Sequence, residues 1–95
     1  MVDLSEARIK DYVARRSDNF IIPEGFPSAR NFDKFLVELI LKVANQPEDH
    51  AHLAVELDLT PAVIKKVLET YPQIFRLYGG KYTVTREVSI AYWGM

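Results

Sequence analysis

The chain has 95 residues, 48% of them hydrophobic and 26% charged, with a formal net charge of −1 and no cysteine. That length suits one small domain around a hydrophobic core, and the missing thiols exclude disulfides, Cys-ligated zinc and cysteine nucleophiles. No apolar run is long enough for a membrane span, and the start lacks the basic and apolar parts of a signal peptide, so a cytoplasmic protein is expected.

In chain order, the spacing first predicts a helix over Leu4–Arg16. Ile9, Tyr12, Val13 and Arg16 recur at helical intervals, with Ser5 and Glu6 suited to its start. The narrow apolar stripe marks a surface helix. Pro23, Gly25 and Pro27 forbid a continuous helix over residues 17–31, where Phe20, Ile21 and Ile22 predict a short strand in a packed arm. A second helix is predicted over Phe32–Asn45. Phe32, Phe35, Leu36, Leu39, Ile40 and Val43 form one wide apolar face, with Asn31 as cap and Asp33 near the positive helix end.

A short third helix should open with Pro47 at its first position and Glu48 and Asp49 in its first turn, burying Leu53, Ala54 and Leu57. After a break at Asp58-Leu59, Thr60 caps and Pro61 opens a fourth helix that turns Ile64, Val67, Leu68 and Tyr71 inward and ends before Pro72. Arg76 to Thr85 predict a tight hairpin, because Gly79-Gly80 accepts the positive φ angles of a two-residue turn. The uncharged residues 88–95 allow two readings. As a strand, Val88, Ile90 and Tyr92 share a face; as a helix, Ile90 and Trp93 align. Such an apolar segment needs cover. It comes either from the chain itself, including the Phe20-Ile22 arm, or from a second copy meeting it at Ile90, Tyr92 and Trp93.

Residues 53–68, from Leu53-Ala54 through Asp58-Leu59-Thr60-Pro61 to Val67-Leu68, resemble the helix-turn-helix pattern. With three helices in order and the Gly-Gly hairpin behind them, residues 31–86 resemble the winged helix-turn-helix superfamily. That resemblance implies a mainly α fold with a small β hairpin: a three-helix core plus wing. Residues 1–30 add an N-terminal helix and packed arm, and residues 87–95 an apolar C-terminal segment, all in one compact domain. One position departs from the pattern. Asp58 stands where glycine is frequent, and it accepts a left-handed conformation less readily.

The resemblance also implies a recognition helix at 61–71 and a wing at 76–85, and the superfamily both binds DNA and docks proteins. Local charge favours DNA. Residues 47–59 hold Glu48, Asp49, Glu56 and Asp58 with no lysine or arginine; residues 60–86 hold Lys65, Lys66, Arg76, Lys81 and Arg86 against Glu69 alone. The expected contacts to double-stranded DNA are Thr60, Ala62, Lys65, Lys66, Arg76 and Lys81. No arginine, asparagine or glutamine joins them on the fourth helix for bidentate base reading, so phosphate positioning should dominate. The rival is a protein-docking module that uses the acidic helix or the apolar tail. His50 and His52 point in different directions, and Glu48 with His52 makes only two ligands at helical spacing, so no metal or other cofactor is expected. No Gly-rich phosphate loop or nucleophile elbow appears, and a non-catalytic role is expected.

Overall fold

The computed structural model describes residues 4–16, 20 and 32–94. Among these, five helices and one hairpin follow one another: α1 Leu4–Arg16, α2 Phe32–Asn45, α3 His50–Leu57, α4 Pro61–Thr70, β1 Phe75–Tyr78, β2 Lys81–Val84 and α5 Arg86–Trp93. The mainly helical architecture with a small antiparallel hairpin agrees with the periodicity. The predicted arm strand and the Asn31 cap lie outside the described residues, Phe20 excepted.

α2 lies at the centre because its apolar face is widest. Phe32, Leu36, Leu39, Ile40 and Val43 are all buried. α1 covers one side with Ile9, Tyr12 and Val13, while α3 and α4 pair with each other through Leu53, Ala54, Ile64, Val67 and Leu68. Tyr71, just after α4, is buried and brings its ring 5.9 Å from that of Phe32 and 5.3 Å from that of Phe20. These residues form one hydrophobic cluster with the inner side of the hairpin.

The start of α3 corrects the expectation for Pro47. Asp49 is the cap: it is extended, with φ −82° and ψ 161°, and its carboxylate accepts the His52 N–H at 2.8 Å. Pro47 and Glu48 precede the helix because Glu48 exchanges backbone hydrogen bonds with Tyr82, at 3.1 and 2.6 Å. A residue bonded to a strand edge cannot also have helical dihedrals. Glu48 thus adds a single rung to the outer edge of β2.

The turn between α3 and α4 uses both sequence signals. Asp58 takes the left-handed conformation, φ 56° and ψ 45°, despite not being glycine. The Leu59 N–H then reaches back to the Ala54 carbonyl at 3.0 Å, which ends α3 with a Schellman-type closure. Leu59 packs against the core, and Thr60 accepts the Val63 N–H at 3.3 Å to cap α4.

In the hairpin, Phe75, Arg76, Leu77 and Tyr78 pair with Val84, Thr83, Tyr82 and Lys81 respectively. Gly79 and Gly80 have φ of +59° and +82°, the double positive value of a type I′ turn. Thr85 locks the base by donating its hydroxyl to the Gln73 carbonyl at 2.9 Å.

The C-terminal segment takes the helical reading and rejects the strand. α5 packs on α1, whereas Phe20 of the arm meets Tyr71 instead. Arg8 supplies the decisive contact. Its guanidinium donates to the Ala91 and Tyr92 carbonyls at 2.9 and 2.8 Å, filling the acceptors left open at the end of a helix. Val88 is the residue α5 buries completely; Ile90 and Trp93 remain 46% and 57% exposed. No helix among the described residues is long and apolar enough to cross a membrane.

Candidate nucleic-acid interface

α4 separates its two faces by helical geometry. Ile64, Val67 and Leu68 point into the core, so Ala62, Lys65, Lys66 and Glu69 share the exposed side. Thr60 lies at the exposed start of the same helix. Its oxygen accepts the capping bond, which leaves the hydroxyl hydrogen available to donate.

The outer face of the hairpin follows from its register. Phe75, Val84 and Tyr82 are buried, so the alternate positions Arg76, Thr83, Tyr78 and Lys81 point away from the core. Leu77 is paired with Tyr82 on the inner side yet is 61% exposed.

Cations divide by partner as well as by position. Lys10 pairs with Glu6 at 3.2 Å, Arg15 with Asp11 at 2.9 Å, Arg16 with Glu87 at 2.9 Å and Lys42 with Glu56 at 3.5 Å. Lys65, Lys66, Arg76, Lys81 and Arg86 form no ion pair with the described residues. Lys34 on α2 and Arg8 on α1 share that state, Arg8 bonding to backbone carbonyls instead, so the segregation is not absolute.

The expected contact residues lie on two elements, and acidic side chains neighbour them. Lys65 and Lys66 adjoin on α4, and Arg76 and Lys81 share the outer hairpin face. Lys81, however, also lines a shallow pocket of about 160 Å³ with Glu48, Asp49 and His52. Glu69 shares the exposed side of α4 with Lys65 and Lys66 and is close enough to Tyr82 for its charge to act on the phenol. Burial first, and Glu69 second, push the Tyr82 hydroxyl above its ordinary pKa.

His52 gains a partner that its spacing to Glu48 did not suggest. Its Nε2 lies 3.3 Å from Glu48 and 3.2 Å from Glu56, so the three side chains bring one ligand atom each within 4.8 Å. Glu56 sits one further turn along α3, a continuation of the same helical interval. Lys42 also binds Glu56 and draws it into a charge network between α2 and α3. A separate groove of about 330 Å³ between α1 and α2 has Val13, Val37 and Leu41 among its lining and offers no histidine or hydroxyl nucleophile.

The sequence did not single out Tyr78, which is 77% exposed on the outer hairpin face. The signal was its place two residues after Arg76 and across the turn from Lys81.

No protein-family model matches the chain, and no curated protein and no solved structure matches it either.

Proposed function

We propose that residues 31–86 are a winged helix-turn-helix module that binds double-stranded DNA without catalysis, presenting α4 as its recognition helix and the hairpin as its wing. The observation that carries this reading is the pair Lys65 and Lys66, exposed on the face of α4 opposite its core residues and without acidic partners among the described residues. Three features support the architecture. The α3–α4 turn is short and capped at both ends, the hairpin follows α4 directly, and Glu48 adds a rung to β2. Unpaired lysines on a rigid helix suit phosphates, which fix register without reading bases. The exposed α4 side chains carry no bidentate base reader, so binding has low sequence preference.

Titration of random duplex DNA by fluorescence anisotropy at several salt concentrations tests this. Contacts from Lys65, Lys66, Arg76 and Lys81 should give a log–log salt slope of about −3 to −4. Lys65→Glu together with Lys66→Glu should abolish binding while leaving the melting temperature unchanged, because both side chains face solvent. Absence of binding at low salt rejects the proposal.

A second reading rests on Glu69, an acid on the same exposed side of α4 as Lys65 and Lys66, and on Val55 and Leu77, which are 82% and 61% exposed. Mixed charge around exposed aliphatic groups suits a protein surface better than a phosphate backbone. In that case duplex DNA does not bind and the lysine changes have no effect on any nucleic-acid titration.

A further inference from the structure

The hairpin carries an arrangement that duplex phosphate binding leaves unused. Tyr78 is 77% exposed, and its ring stacks on no described residue. In a strand, residues two apart share a face, and directly paired residues of an antiparallel hairpin share one as well. Arg76 is two before Tyr78, and Lys81 is paired with Tyr78 across the Gly79-Gly80 turn. An open aromatic ring is thereby flanked on one outward face by two exposed cations, and neither cation forms an ion pair with a described residue.

Leaving the Tyr78 ring in water forgoes the free energy that its burial would contribute and keeps the ring available to a ligand. Tyr78 contributes no side chain to the hydrophobic cluster, and the turn is secured by its glycines. Duplex phosphates would engage the cations but not the ring, since paired bases are stacked inside the helix. Unpaired bases are different: each presents a π face that stacks on an aromatic side chain, while the adjoining phosphates meet the neighbouring cations. The stiff two-residue turn keeps ring and cations in one arrangement, which limits the entropy lost on binding.

We propose that Arg76, Tyr78 and Lys81 form a stacking platform for unpaired DNA bases, so that the module prefers duplex DNA with an adjoining single-stranded segment. This rests on the DNA-binding reading above: on a blunt duplex Arg76 and Lys81 meet backbone phosphates beside α4, and where a single strand adjoins, the Tyr78 ring adds stacking on its unpaired bases. An apolar protein partner would use Leu77 and Val55 but would gain nothing from the cation–aromatic–cation order, which favours the nucleic-acid occupant.

The test compares anisotropy titrations of a blunt duplex, the same duplex with a single-stranded overhang, and the overhang strand alone. The native chain should bind the overhang duplex roughly five- to 150-fold more tightly than the blunt one, the range that one stacked base supplies. Tyr78→Ala should remove that preference and leave blunt-duplex affinity unchanged, whereas Tyr78→Phe should keep it. A thermal melt of each variant confirms that the hairpin persists. Equal affinity for blunt and overhang duplexes overturns the platform while the duplex reading stands. Binding of the single strand without the duplex retains the platform and rejects the duplex reading. No binding to any of the three overturns both.

Discussion

Asp58 occupies a left-handed conformation that costs an ordinary L-residue about 1–2 kcal/mol, a cost aspartate softens by local hydrogen bonding. The cost is accepted because this dihedral turns the chain from α3 into α4 and brings Leu59 onto the core. Asp58→Gly should therefore stabilise the fold by about 0.5–1 kcal/mol, while Asp58→Val should destabilise it by more than that. Urea titration of both variants checks the pair, and stabilisation by valine would show that the turn does not need positive φ. Two tyrosines make a second prediction at this scale. Burial, and then the Glu87 carboxylate, push the Tyr12 hydroxyl above its ordinary pKa, with Arg16 acting in the opposite sense. Tyr82 moves the same way, through burial and then Glu69. The fold thus disfavours the phenolate. Below about pH 10, the unfolded tyrosine value, both states are neutral and this contribution is complete; it is lost as pH rises through the folded values. The urea midpoint should fall above that pH, and less steeply when Tyr12 and Tyr82 are both phenylalanine.

Among elements, the hairpin and α5 depend on different physics. No described residue lies within 4 Å of where a side chain at Gly79 or Gly80 would begin, so substitution there strains the backbone alone. Changing both to valine should cost about 1–2 kcal/mol each and loosen the wing, whereas Gly79→Asn should be nearly neutral because asparagine tolerates the first turn position. Amide exchange of β1 and β2 reports the difference. α5 instead depends on a residue far away in sequence. Arg8→Ala removes two hydrogen bonds to the end of α5 and should cost about 1–3 kcal/mol, as expected for bonds from a charged donor. The bounds of α1 and α2, the α4 cap and the hairpin tip were legible because each depends on neighbours within a few residues. Pro47 misled because its local preference for a helix start lost to the backbone pairing of Glu48 with Tyr82, a contact between distant parts of the chain.

At the scale of the whole molecule, α1 and α5 lie together, leaving Ile90 and Trp93 partly open to solvent. Trp93 is 57% exposed, so its fluorescence in dilute solution should be close to that of a solvated indole. A dimer through Ile90, Tyr92 and Trp93 would shift that emission to the blue and double the mass in light scattering as concentration rises. Unchanged emission and mass would reject it. Removal of α5 should unfold part of a monomer in either case, since Val88 is fully buried against its own chain. By itself, the sequence determined the helical periodicity, the Thr60 cap and Pro61 opening of α4, the Gly79-Gly80 turn and the division of charge between residues 47–59 and 60–86. These are local properties, encoded in spacing and backbone preference. Only the tertiary structure decided that residues 86–93 are helical, that Arg8 holds their end, that Lys42 ties Glu56 to α2, and that Lys81 borders acids while Tyr78 stays open. Each of those outcomes depends on which distant surfaces meet, and desolvation and pairing act only once the chain has brought them together.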